Sequence, residues 1–65
     1  LAVAVAALPP AQREVIALKF DGGLTFAEIA AVVGVSANTA ASRYRYGAAK
    51  LRTLLRPLYD EIHAP

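Results

Sequence analysis

Sixty-five residues without a cysteine allow one small domain, no disulfide and no thiolate metal site. The net charge of +2 is spread unevenly: residues 1–35 sum to −1, residues 36–56 to +5 with no acid, and residues 57–65 to −2. That asymmetry is open to two readings, a polyanion partner for one segment or a plain solvated helix face, while the apolar run Leu1 to Leu8 is far too short to cross a bilayer.

Leu1 to Ala7 alternates alanine and valine, a period of two that favours a strand. The alanine content and the helical pattern downstream favour a frayed helix instead. The run begins at a residue other than methionine, so the chain reads as a fragment or processed piece of something larger, and with no basic residues before the apolar run nothing in it looks like a signal peptide. A reducing cytoplasm fits the absence of cysteine. Leu8-Pro9-Pro10 is a break, and Pro10 suits a first helical turn, where its missing N–H costs nothing. From there "PAQREVIALKF" puts Ala11, Val15 and Leu18, with Ile16 beside them, on one face of a helix of about three turns, and Gln12, Arg13 and Lys19 elsewhere. Asp21-Gly22-Gly23 ends it, because glycine takes the left-handed conformation without strain.

"LTFAEIAAVVG" carries the clearest signals. Thr25 is an N-cap with Glu28 three residues on, a capping box, and Leu24 and Ile29 form a hydrophobic staple. Ile29, Ala30 and Val33 face inward, and Gly34 stops the helix. Val35-Ser36 restarts the chain at once, with Ser36 as a second N-cap and Val35 stapling onto Ala40. The new helix has an inward stripe at Ala40, Tyr44, Gly47 or Ala48, Leu51, and Leu54 or Leu55. Its outer faces carry Asn38, Thr39, Ser42, Arg43, Arg45, Tyr46, Ala49, Lys50 and Arg52. Pro57 is expected to end or kink it at about Arg56, leaving "LYDEIHAP" as a tail of one further turn.

Two helices joined through Gly34-Val35-Ser36 must cross sharply, and the small Ala30 lets their axes approach. This is the helix-turn-helix arrangement, whose second helix enters the major groove N-terminus first. That N-terminus offers the N–H groups of Ala37 and Asn38 to a phosphate. Asn38, Thr39 and Ser42 are short polar groups able to reach base edges, and Arg43 and Arg45 can take a guanine bidentately or bind phosphate. Lys50, Arg52 and Arg56 are better placed for the backbone. Tyr44 belongs to the core, whereas Tyr46 is open between phosphate and solvent. A structural ion pair competes for Arg43, and plain solvation for Arg52 and Arg56. His63 has no second ligand near it. No serine or threonine has a base arranged to activate it, so no enzyme, metal or cofactor is expected.

Taken together, "LPPAQREVIALKF", "GLTFAEIAAVVGVS" and "NTAASRYRYGAAKLR" resemble region 4 of bacterial RNA polymerase sigma factors, with the extracytoplasmic-function group as nearest kin. The resemblance covers residues 8–52. It implies an all-α, four-helix domain with a helix-turn-helix, of the winged-helix-like class without a wing, filling residues 1–65. It further implies recognition of the promoter −35 element, docking on the β-subunit flap of the polymerase core, and sequestration by an anti-sigma factor, with no membrane involved. Ser36, Asn38, Thr39, Ser42, Arg43 and Tyr46 match the family's DNA-facing helix, and the first two helices would offer apolar surface to the flap or an anti-sigma partner. Three positions depart from the pattern. Ala40 stands where valine is usual, Ala41 replaces a basic residue and weakens the phosphate grip, and Gly47 replaces alanine at about 1 kcal/mol of helix propensity.

Two other readings compete. The DNA-binding domain of a response regulator shares "REV" and "G-L-x-x-x-E-I-A" features, but Leu8-Pro9 and Lys50-Leu51-Arg52 favour the sigma pattern. A protein-interaction module would use residues 1–8 with Leu58, Tyr59 and Ile62 as contact surface, and a domain this apolar would then form a homodimer in isolation.

Overall fold

A computed structural model describes residues 2–63; Leu1, Ala64 and Pro65, which the sequence assigns to the first helix and the tail, lie outside the described residues. Four helices follow one another: α1 (Ala2–Ala6), α2 (Pro10–Phe20), α3 (Phe26–Val33) and α4 (Ala37–His63). No strand occurs among the described residues, which fits the all-α expectation. None of the helices is long and apolar enough to cross a membrane.

Local chemistry sets most of the boundaries. Pro10 occupies the first turn of α2, behind Pro9. The capping box of α3 is complete: Glu28 N donates to Thr25 Oγ1 at 3.2 Å, and Thr25 N donates to Glu28 Oε1 at 2.8 Å. Gly34 ends α3 at φ 77°, where any side chain would be strained. Its N–H and that of Val35 both donate to Ala30 O, so the chain turns back within two residues. Ser36 then caps α4, its Oγ accepting from Thr39 N at 3.1 Å.

Two packed clusters share one residue. Val15, Ile29, Ala30 and Ala40 form the first, with Leu24 and Val35 against it as the two staples require. Leu8, Ile16 and Leu51 form the second, beneath α1. Tyr44 joins both. Its ring lies edge-on to Phe26 at 5.4 Å and tilted against Phe20 at 6.1 Å.

Two expectations are corrected and one open choice is settled. Val15, Ile16 and Leu18 face inward as expected, but Ala11 is exposed and Gln12 takes its place on the inward face of α2. The cause lies across the interface at Gly47. A Cβ there would meet Ile16 Cγ1 at 3.1 Å and Gln12 Cβ at 3.4 Å. The missing side chain lets α2 settle directly on α4, and the row that makes this contact becomes the buried one. Leu55, rather than Leu54, continues the inward stripe of α4; Leu54 is 42% exposed.

The second correction is at Pro57, which neither ends α4 nor separates a tail: the helix runs unbroken for 27 residues, Pro57 inside it. The proline removes one donor to the carbonyl of Thr53. Thr53 and Pro57 are both exposed, so water can take that carbonyl. At about 1.5 Å per residue α4 is some 40 Å long, which accounts for most of the 44 Å long dimension of the molecule. Its last three turns project beyond the body.

Candidate nucleic-acid interface

The sharp turn at Gly34 presents the first turns of α4 at the surface, with α3 beside them. Residues follow each other at about 100° around a helix, so two adjacent rows form the outer face. One is Asn38, Ser42, Arg45 and Ala49; the other is Thr39, Arg43, Tyr46 and Lys50. Ala40, Tyr44, Gly47 and Leu51 turn to the body on the opposite side.

The eight sequence-derived site residues therefore share one surface, though with different freedom. Asn38, Tyr46 and Lys50 are exposed, and Tyr46 reaches 68%. Ser36 is committed as the cap and also donates from Oγ to Thr39 Oγ1 at 3.0 Å, which holds the Thr39 hydroxyl in turn. Arg45 Nη2 donates to Ser42 Oγ at 3.1 Å, fixing the guanidinium over the first row. Ser42 and Arg43 are half-buried at the border of the face. Tyr46 stands clear of the core, unlike Tyr44.

The electrostatics are one-sided. Residues 36–56 contain five basic side chains and no acid. Among the described residues, Arg43, Arg45, Lys50 and Arg52 have no ion-pair partner, so the structural pairing that competed for Arg43 is absent. Arg56 Nε reaches Asp60 Oδ2 at 3.8 Å, a pair so exposed that it contributes little. Ser36 satisfies the Thr39 N–H, and the N–H groups of Ala37 and Asn38 stay open toward solvent, aligned with the positive end of the helix.

Sequence reasoning missed how α2 supports this face. Lys19 Nζ donates to Leu24 O at 3.2 Å and lies 4.7 Å from the centre of the Phe26 ring, tying the end of α2 to the start of α3. Arg13 Nη1 donates to Ala6 O at 3.4 Å. Both look like solvated charges in the sequence, and only the chain reversals, at Asp21–Gly23 for Lys19 and between α1 and α2 for Arg13, bring their acceptors near. Gln12 Oε1 is buried without a hydrogen-bond partner beside Gly47. A glutamine on a surface-like helix row gave no signal of that.

The family model for sigma-70, region 4 matches residues 4–53, from α1 through the outer face of α4. The chain belongs to the sigma-70 region 4 family. No curated protein and no solved structure matches the chain significantly. Membership makes α3 and the first half of α4 a DNA-binding helix-turn-helix of sigma-factor transcription initiation, with promoter DNA and the RNA polymerase core as its partners. It also decides against the response-regulator reading. In region 4 terms the body ends at residue 53, and the projecting part of α4 lies beyond the match.

Proposed function

We propose that this domain recognises the −35 element of a promoter, within a sigma factor of the extracytoplasmic-function type bound to polymerase in the cytoplasm. The observation that carries the reading is the acid-free outer face of α4, joined to a capped helix start with two open N–H groups. In this arrangement the Ala37 and Asn38 N–H groups take one phosphate. Asn38, Thr39 and Ser42 meet base edges in the major groove, with Ser36 holding Thr39 in place. Arg43 reads a base or grips the adjoining phosphate, while Arg45, Tyr46 and Lys50 follow the backbone. Ala41 provides no charge where the family has one, so affinity depends on the remaining contacts and on the polymerase. The apolar surface of α1 and α2 is offered to the β-subunit flap, and an anti-sigma factor would cover the same surface.

Fluorescence anisotropy on a duplex library across a salt series tests this. Affinity should fall steeply with salt. Lys50→Ala should weaken all sequences alike and reduce the logarithmic salt slope by about 1. Asn38→Ala should instead relax preference at one or two base pairs, each worth about 1–3 kcal/mol. Binding that ignores salt, or an Asn38→Ala variant that loses affinity without losing selectivity, would rule out base reading by α4.

A further inference from the structure

A free serine hydroxyl suits any base edge, because it turns to offer either its proton or a lone pair. The Ser42 hydroxyl on the outer face of α4 is not free. Arg45 Nη2 donates to Ser42 Oγ at 3.1 Å. A guanidinium has no lone pair, so the two groups cannot exchange roles. The oxygen accepts, and the hydroxyl proton is left for something else. Nothing in the chain takes it. Thr53, further along the same helix, gives its proton to Ala49 O at 3.2 Å. Ser42 makes no such bond to its own helix, and its place between Asn38 and Arg45 on one outer row turns the proton toward whatever lies on that face. The guanidinium also repels a second donor at the same oxygen, and a charged donor on the oxygen strengthens the hydroxyl as a donor in turn.

We infer that Arg45 is a positioning residue for base choice: by occupying the Ser42 oxygen it makes Ser42 a donor only, so that Ser42 selects a keto edge, guanine O6 or thymine O4. The inference rests on the reading that α4 meets base edges in the major groove. Cytosine offers Ser42 only the N4 amino donors there and is rejected most. Adenine keeps N7 as an acceptor beside its N6 amino group and falls between. The other donors of Arg45 have no partner in the chain and remain available to a phosphate, so one side chain couples backbone contact to base choice.

Thr39 is set in the same sense. Ser36 Oγ accepts from Thr39 N at 3.1 Å and donates its own proton to Thr39 Oγ1 at 3.0 Å, which leaves the Thr39 proton outward. Residues 36–56 contain no acid that could accept from a base amino group. That task is left to Asn38 and Tyr46. The preferred site therefore carries keto bases opposite Ser42 and Thr39, with amino groups confined to the positions met by Asn38 or Tyr46.

The test is anisotropy of the chain at low salt on duplexes that carry every base pair in turn at each position of its preferred site. Ser42→Ala identifies the base pair that Ser42 reads, as the one whose preference it removes. There the parent should favour guanine or thymine over cytosine by about three- to tenfold, the range of one hydrogen bond, with adenine between. Arg45→Met keeps the aliphatic stem and removes the donors. It should weaken every duplex and, at that base pair alone, bring cytosine within about twofold of the keto bases. In the Ser42→Ala background the same change should weaken binding with no further change in selectivity. Both residues lie outside the packed clusters, so the fold is kept in each variant. A uniform loss in Arg45→Met with selectivity intact would overturn the inference, and so would a parent that favours cytosine or adenine opposite Ser42. If Asn38→Ala shifts selectivity and Ser42→Ala shifts none, base reading by α4 stands and this inference falls. If neither variant shifts it, both fall together.

Discussion

The two halves of α4 are one continuous helix, yet different physics holds them. In the first half, Ala40, Gly47 and Leu51 are buried and Tyr44 is wedged between Phe20 and Phe26. In the second, from residue 52 to residue 62, every residue but Leu55 is exposed. The first half is helical because tertiary packing demands it. The second is held by propensity, local contacts along the helix such as an exposed ion pair, and its covalent continuity with a helix already nucleated. Function follows the division: the packed half can hold polar side chains at a fixed register against DNA, and the projecting half offers an apolar stripe.

The largest expected effect tests the packed half. Ile29 is fully buried beneath Ala40, and Ile29→Ala should cost about 2–5 kcal/mol. A domain of this size has only about 3–10 kcal/mol in total, so urea unfolding followed by circular dichroism should show a large fall in midpoint. Leu58→Ala in the projecting half, measured in dilute protein, should change stability by less than about 0.5 kcal/mol. Equal losses at the two sites would mean that the halves are not distinct.

Gly47 comes next and sharpens where the packed half makes its closest contact. The sequence alone marks it as a weak point in a helix. Against Ile16 Cγ1 at 3.1 Å it is a point of close approach. Gly47→Val should lose about 1–3 kcal/mol through overpacking. Gly47→Ala sets a gain of about 1 kcal/mol in propensity against the same contact, and should fall within about 1 kcal/mol of the parent. If valine is as well tolerated as alanine in thermal melts, the interface is looser than these distances indicate.

What the sequence made legible is what local chemistry controls. Thr25 with Glu28, Gly34, and Ser36 with Thr39 each act within a few residues, and all behave as their order in the chain implies. The outer face of α4 was legible because a single helix fixes its own rows. The rotation of α2 was not, since the choice between Ala11 and Gln12 depends on the glycine facing it from another helix. Nor were the roles of Lys19 and Arg13, whose acceptors come from chain reversals. Pro57 misled for the opposite reason. The rule that proline stops a helix assumes that the lost hydrogen bond is unaffordable, and at an exposed carbonyl it is not.

A smaller effect is expected at the cap that starts α3. Thr25→Ala should cost about 1 kcal/mol. The Thr25 N–H, followed by its hydroxyl, holds the Glu28 carboxyl below its usual pKa of 4.5. A carboxyl lowered in the folded state stabilises above its unfolded pKa, and that contribution disappears as pH falls through the folded one. Stability should therefore drop on acidification below about pH 4.5. Glu28→Gln should remove that part of the pH dependence, read from urea midpoints between about pH 6 and about pH 3, on either side of the usual 4.5. An unchanged slope in the variant would assign the acid sensitivity to other carboxyls.

The smallest effect on global stability belongs to Pro57→Ala, and it separates the two halves most cleanly. In a packed helix, removing an interior proline would be worth about 3 kcal/mol. Here residues 58–62 beyond it are exposed, so the restored hydrogen bond to Thr53 changes mainly how often residues 54–63 are helical. In dilute protein the urea midpoint should stay within about 0.5 kcal/mol of the parent, while ellipticity at low denaturant becomes more negative and amides after residue 57 exchange more slowly. A large rise in the dilute midpoint would mean that the projecting half is coupled to the core, and that α4 is a single cooperative unit.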